Sequence, residues 1–75
     1  MSDRYEFMPG IFLNVALASN FFIVQVQGNF PSHVPGSLLG DSAQSALRQL
    51  HRHFNLSDEQ CRGIIQYLTS RGMDA

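Results

Sequence analysis

The residues of this chain that could do chemistry are few, and most of them lie in its C-terminal half. His51 and His53 flank Arg52, Cys61 follows, and His33 stands alone further upstream. A zinc site needs three or four converging ligands. Residues two apart on a helix point to nearly opposite sides, so His51 and His53 do not predict a shared ion. We therefore expect no metal and no cofactor.

Motifs for catalysis are scarce as well. The chain has no Lys for Schiff-base or phosphate chemistry, no Gly-x-Ser-x-Gly sequence and no glycine-rich phosphate loop. Cys61 and His53 are a conceivable nucleophile and base. However, Cys61 falls on the apolar side of a predicted helix, where a free cysteine usually packs as a small hydrophobic residue. We therefore predict that the protein is not an enzyme and has no catalytic residue.

Basic side chains form a small stripe on a predicted helix. Arg48 and Arg52 are four residues apart, which places them on one side of that helix, with His51 adjacent. A solvated helix surface is the ordinary interpretation, and a contact patch for an acidic protein surface or for phosphates is the functional one. The net charge is −1, so no global field attracts nucleic acid or an anionic membrane.

The most unusual feature of the sequence is a long segment without permanent charge. Residues 7–40, 34 in all, contain no Asp, Glu, Lys or Arg, and all eleven charged side chains lie outside this segment. Soluble surfaces usually mix charges of both signs. The segment is therefore expected to be buried or to contact something other than water. Phe12, Phe21 and Ile23 are its predicted protein-binding anchors.

Two apolar runs within this segment predict a β-hairpin over residues 11–27. As strands, residues 11–17 would place Leu13, Val15 and Leu17 on one face, and residues 21–27 would place Phe21 and Ile23 together on one face. Both runs are rich in β-branched and aromatic side chains, as is typical of strands. Residues 18–20, Ala-Ser-Asn, are the expected link. A single helix over residues 11–26 is the competing interpretation, and the Val-Gln-Val-Gln alternation argues against it. Both faces of the hairpin contain Phe or Ile, so the pattern leaves open which face is covered.

Turn-forming residues bound the hairpin on both sides. Residues 1–10 are interpreted as a lead-in that closes at Pro9-Gly10, and Tyr5 to Met8 could add a third short strand. Residues 28–40 contain three of the six glycines and two of the three prolines, which predicts a loop. Several apolar residues within that loop indicate that it packs against the rest of a single small domain, residues 1–75.

The residues from 41 to 72 predict a helical hairpin. Asp41 or Ser42 can cap a first helix whose apolar residues recur at helical spacing. Residues 57–60, Ser-Asp-Glu-Gln, have the form of a capping box at the start of a second helix, and Gly72 is its expected stop. The sequence thus predicts an α+β fold, in which an N-terminal β-hairpin is followed by a helix-turn-helix-like pair packed on it.

The helical pair resembles a helix-turn-helix motif over residues 46–50, Ala-Leu-Arg-Gln-Leu, and over the corner at residues 54–57, Phe-Asn-Leu-Ser. In DNA readers the second helix presents base-reading residues near its N terminus. Here those positions are Asp58, Glu59 and Gln60, and two carboxylates would repel phosphates. Structural packing is therefore the ordinary interpretation. The DNA-binding alternative would use four residues: Arg48, Arg52, Arg62 and Gln66.

The apolar run over residues 11–26 also has to be weighed as a membrane or secretion segment. A spanning helix needs about 20 mostly apolar residues, and this run is shorter and contains two Asn and a Ser. A signal peptide starts with basic residues, whereas here two acids and one base precede the run. We expect a cytoplasmic protein that does not bind membranes, and the lone Cys61 fits a reducing compartment.

Size and composition favour a binding role. A chain of 75 residues buries only about 60% of its unfolded surface, so a permanent partner or self-association would aid its stability. We predict a small protein-binding module that regulates, inhibits or helps to assemble a larger protein, in the style of bacterial or phage proteins. Arg48 and Arg52 would join the apolar anchors at the contact. A homodimer through the second face or an edge of the hairpin is left open.

Overall fold

The computed structural model describes residues 4–18 and 21–74, and it confirms the α+β class. A four-stranded antiparallel sheet in the order β1-β2-β3-β4 is followed by two α-helices. The strands are β1 (Tyr5–Met8), β2 (Ile11–Ala18), β3 (Phe21–Gly28) and β4 (Ser37–Gly40), and the helices are α1 (Ala43–His53) and α2 (Asp58–Ser70). The predicted hairpin and the predicted helix pair are therefore both present.

The sheet is larger than the predicted hairpin. The third strand that the sequence left open forms as β1, which pairs with β2. A fourth strand, β4, lies within the segment interpreted as a loop, because four residues with two leucines carry little alternation before they pair with β3. β2 runs through Ala18, one residue into the expected link, and Ser19 and Asn20 of that link lie outside the described residues.

One face of the sheet forms the core with the two helices. Because side chains in a strand alternate between faces, each strand places every second residue in this core. The buried hydrophobic residues of the strands are Phe7, Ile11, Leu13, Val24, Val26 and Leu38, and those of the helices are Ala43, Ala46, Leu50, Ile64 and Leu68. The helices thus cover the hairpin face that carries Leu13, Val24 and Val26, which settles the choice that the sequence left open.

Two glycines shape the turn between β1 and β2. Gly10 follows Pro9 with a φ of 78°, in the left-handed region that favours glycine. Gly28, which pairs with Ile11, has a φ of 109°, and a Cβ at this position would overlap the carbonyl oxygen of Gly10. The backbone N–H of Asn29 donates to that same oxygen at 3.1 Å. Glycine at position 28 therefore lets the turn close onto the end of β3.

Both helices begin at the predicted caps, and α2 ends at the predicted glycine. The Ser42 side chain caps α1 by accepting from the Ser45 N–H at 3.2 Å. At α2, Ser57 and Gln60 form the reciprocal capping box. Gly72 has a φ of 100°, and it and the next residue donate back to the last turn of α2, which is the Schellman arrangement.

Side chains and backbone groups tie the helices to the sheet. The rings of Tyr5 and Tyr67 stack with centroids 5.3 Å apart, which joins β1 to α2. At the opposite edge of the sheet, the Gln49 side chain of α1 donates to the carbonyl oxygen of Leu39 in β4 at 2.8 Å. The helical layer is therefore attached to both outer strands.

Candidate protein-docking surface

The sheet face opposite the helices, here called the open face, is built by the residues that alternate with the core. Its side chains on β2, β3 and β4 are Phe12, Asn14, Ala16, Phe21, Ile23, Gln25, Gln27, Ser37 and Leu39. All nine lie in the charge-free segment. Within the described part of the chain, no helix covers them. Three of the four strands thus present a neutral surface.

Apolar side chains gather at one end of the open face. The strand register places Ala16, Ile23 and Leu39 in one row across β2, β3 and β4. Phe21 lies two residues before Ile23 on the same face. Leu39 is 59% exposed and Phe21 is 39% exposed. We call these four residues the apolar end. Large side chains that are exposed next to one another are typical of a contact site rather than of free surface.

A neutral polar row borders the apolar end. Asn14, Gln25 and Ser37 lie side by side in the next row of the register. Their amide and hydroxyl groups offer hydrogen-bond donors and acceptors without a net charge. An apolar centre beside neutral polar groups matches the core and rim of many protein interfaces. The arrangement can therefore bind a surface that is itself neutral.

Phe12 occupies the opposite end of the open face. It pairs with Gln27, which is six residues from Phe21 on β3, so the two phenylalanines are about 20 Å apart at roughly 3.4 Å per residue. The guanidinium of Arg4 lies over the Phe12 ring, 4.4 Å from its centroid, and Phe12 is only partly exposed. Among the predicted anchors, the structure thus brings Phe21 and Ile23 together and places Phe12 elsewhere on the face.

The predicted basic contacts lie in the other layer of the molecule. Arg48 and Arg52 are exposed on α1, whose buried side packs on the core face of the sheet. The sheet therefore stands between them and the apolar end. They do not share a flat contact with Phe21 and Ile23 and belong to a separate surface.

The residues of the DNA-binding alternative also lie in the helical layer. Arg62 and Gln66 are exposed on α2. Gln60, at a base-reading position of the motif, is already engaged within the chain. Its side chain accepts from the Ser57 N–H at 2.9 Å and donates to the carbonyl oxygen of Phe7 at 3.2 Å. Its neighbours Asp58 and Glu59 are exposed acids.

Two exposed leucines were missed by the interpretation of the sequence. Leu39 was assigned to a packed loop, and Leu17 was placed on one face with Leu13 and Val15, without a prediction of which face is covered. Leu17 is 74% exposed because it lies on the core side of the sheet but beyond the reach of the helices. The alternation of β2 did group Leu17 with Leu13 and Val15, whereas the extent of the helical cover could not be inferred from it.

The chemistry-bearing residues do not assemble into a site in the described ranges. His33 and His53 lie with ring centroids 6.5 Å apart, but no group of three His, Cys, Asp or Glu side chains converges there. Cys61 is partly buried against the core. A shallow depression of about 350 Å³ at the Pro9–Gly10 turn is lined by residues 6–10, and its one acid, Glu6, accepts from the Gly10 N–H at 3.0 Å.

Comparison of the chain with protein-family models, with curated proteins and with solved structures found no match. No helix in the described ranges has both the length and the apolar character needed to cross a membrane. The class of the protein is therefore defined by its own architecture, a four-stranded meander covered on one face by a helical hairpin.

Proposed function

We propose that this protein is a non-enzymatic protein-binding module that docks the apolar end of its open face onto a neutral, apolar site of a larger protein. The observation that carries the proposal is the apolar row of Ala16, Ile23 and Leu39 beside Phe21, in which Leu39 and Phe21 are exposed and to which β2, β3 and β4 contribute no charge. In this role the chain would regulate, inhibit or help to assemble its partner.

Burial of the exposed apolar side chains would contribute to such binding. Fully burying a Leu, Ile or Phe side chain contributes about 1.5–3 kcal/mol. Leu39 and Phe21 are 59% and 39% exposed, so covering them together with Ile23 would contribute on the order of 2–4 kcal/mol. That amount is comparable with a hot-spot residue of a protein interface.

The absence of charge on β2–β4 determines the kind of partner. At the apolar end, a charged partner site would have to give up its hydration without gaining an opposite charge from β2, β3 or β4. Neutral polar groups such as Asn14 and Gln25 can instead pair with backbone or amide groups at the rim. Binding through this surface should therefore depend little on salt, because screening acts on charge pairs.

A pull-down tests the proposal. The tagged chain is exposed to a nuclease-treated bacterial lysate at low salt and at about 0.5 M NaCl, and the proteins that it retains are identified. Wild type should retain one stoichiometric protein at both salt concentrations. Gln44→Arg is the matched control for Ile23→Arg, because it adds the same positive charge at an exposed position of α1, and it should retain the protein as well. Ile23→Arg and Phe21→Asp should lose it while the helical circular dichroism is unchanged. Normal retention by both of these variants would contradict the proposal.

DNA binding is the less supported alternative. It would use Arg48, Arg52, Arg62 and Gln66, which are exposed in the helical layer. Against it stand the exposed acids at the start of α2 and a net charge of −1. It requires steeply salt-dependent duplex binding that Arg62→Glu abolishes, and fluorescence anisotropy with a labelled duplex measures this. We expect no binding even at low salt.

A cytoplasmic location is part of the same proposal. It is supported by the single, partly buried Cys61, since disulfide-free chains are the rule in reducing compartments. Fractionation of cells that express the tagged chain tests it.

A further inference from the structure

His33 is the one titratable side chain in the charge-free segment. Residues 7–40 contain no Asp, Glu, Lys, Arg, Cys or Tyr, and they contain a single His. Imidazole is the side chain that ordinarily changes its charge between about pH 5 and 8. Acidification therefore adds a positive charge to a segment that is neutral at higher pH, and it adds this charge at residue 33.

The fold places His33 against the last residue of α1. The imidazole rings of His33 and His53 lie with their centroids 6.5 Å apart and their planes inclined by 55°. His33 is exposed and His53 is half-buried, so both rings can exchange protons with water. The contact joins the segment between β3 and β4 to the end of α1, and only the tertiary structure creates it.

Buried neighbours hold the backbone on both sides of this contact. Val34 is buried, and its N–H donates to the carbonyl oxygen of Pro31 at 3.0 Å, which closes a tight turn that contains His33. We call it the Pro31 turn. Phe54, which follows His53, is also buried, and its N–H donates to the last turn of α1 at 2.9 Å. The two rings therefore separate only by rotation of their side chains or by displacement of the turn.

The other charged groups near the pair do not offset a second positive charge. α1 contains no acid, and its last turn adds His51 and Arg52. β2, β3 and β4 add no charge, because all three lie in the charge-free segment. The acids of β1 and α2 are Glu6, Asp58 and Glu59. Among the described residues, none of these acids forms an ion pair with either histidine of the pair.

We propose that His33 and His53 form an acid-sensitive latch between the Pro31 turn and the end of α1. When both rings are neutral, they pack together and hold the turn against the helix. When both rings are protonated, two positive charges with centroids 6.5 Å apart repel each other, and the turn is released.

The repulsion acts only in the folded chain, because unfolding separates the two residues. Protonation of both rings therefore favours the unfolded state. The stability that the contact contributes is present at neutral pH and is lost as the pH falls through the range in which imidazole titrates. A proton on His53 alone is favoured by the negative end of the α1 dipole. The latch is therefore measured as a coupling between the two histidines and not as the effect of either one.

The first test is thermal unfolding of wild type, His33→Gln, His53→Gln and the double variant at pH 5 and at pH 7.5, in low salt. At pH 5 the midpoint of wild type should lie about 2–5 °C below the value that the other three midpoints predict by additivity. At pH 7.5 it should not lie below that value. No deviation at pH 5, or an equal deviation at both pH values, would overturn the latch.

His51 provides the matched control. It lies in the same last turn of α1 but is exposed. The same cycle with His51→Gln in place of His53→Gln should show no coupling to His33 at either pH. Coupling of equal size would mean that acid acts through the general positive charge of α1, which contradicts a specific pair. About 0.5 M NaCl should reduce the coupling of the true pair, because salt screens repulsion between exposed charges.

The second test asks whether the turn itself is released. The Val26 N–H donates to the carbonyl oxygen of Gly36, shortly after the Pro31 turn, at 2.9 Å. From pH 7.5 to pH 5, the hydrogen-exchange protection of this amide should fall about threefold more in wild type than in His33→Gln. An equal change in the two proteins would overturn release of the turn. Both tests use the isolated chain, so their outcome is independent of the proposed docking function.

Discussion

Gly63 shows how a single position couples the two layers. Glycine in a helix interior is less favourable than alanine by about 1 kcal/mol, yet Gly63 lies in the middle of α2. A Cβ at this position would overlap the hydroxyl of Tyr5 on β1. Tyr5 is held in place by its stack on Tyr67, with ring planes 18° apart. The missing side chain therefore lets the strand and the helix approach closely.

Gly63→Ala should lower the free energy of unfolding by about 1 kcal/mol, because displacement of the Tyr5 ring outweighs the gain in helix propensity. In a Tyr5→Phe background the same change should stabilise the protein by about 0.5–1 kcal/mol. The nearest remaining ring atom, Cζ, is 3.4 Å from the added Cβ, which is an ordinary contact. Urea unfolding of the four variants measures the coupling. Equal effects in the two backgrounds would refute it.

At the scale of elements, α2 is attached to the sheet through its own cap. The Ser57 side chain accepts from the Gln60 N–H at 3.2 Å, and the Gln60 side chain returns a bond to the Ser57 N–H. The same Gln60 amide donates to Phe7 of β1. One side chain thus determines both where the helix begins and where that end lies on the sheet.

Gln60→Ala should reduce the free energy of unfolding by about 1–2 kcal/mol, since it removes half of the capping box and the bond to β1. Gln66→Ala, at an exposed position of the same helix, should change it by less than about 0.5 kcal/mol. Chemical denaturation followed by circular dichroism gives both values. If the two variants had the same free energy of unfolding within error, the capping interactions would contribute no stability.

At the scale of the whole molecule, the segment after α2 closes the fold. Met73 is 3% exposed, and the carbonyl oxygen of Asp74 accepts from the Ala43 N–H at the start of α1, at 2.6 Å. Asp74 also bridges Ser42 in a short parallel pair. The end of the second helix is thereby tied to the beginning of the first.

Met73→Ala should lower the free energy of unfolding by about 2–4 kcal/mol, the usual effect of removing a buried Met side chain. Small domains have only about 5–15 kcal/mol in total, so a large drop in the thermal midpoint should accompany it. Asp74→Ala is the matched control, because Asp74 acts through its backbone and its side chain is exposed. It should unfold like wild type. Equal midpoints for Met73→Ala and wild type would show that this closure contributes nothing.

The elements that could be inferred from the sequence are those with local causes. The caps at Ser42 and Ser57, the stop at Gly72 and the strand alternation each depend on residues within about five positions of one another. These signals predicted the helix pair, the hairpin and its two faces. The residues Phe21 and Ile23 were also assigned correctly to one face, since strand alternation requires it.

Tertiary contacts decided the rest, because they join residues far apart in sequence. β4 exists through its pairing with β3. The helices cover one face of the hairpin because their apolar sides pack on Leu13, Val24 and Val26, and Gln49 and Gln60 attach them to the outer strands. The same packing exposed Leu39 and Leu17, separated Phe12 from Phe21, and placed Arg48 in the opposite layer. Alternation along a strand defines two faces, but burial of one of them requires a partner surface, and only the folded chain supplies it.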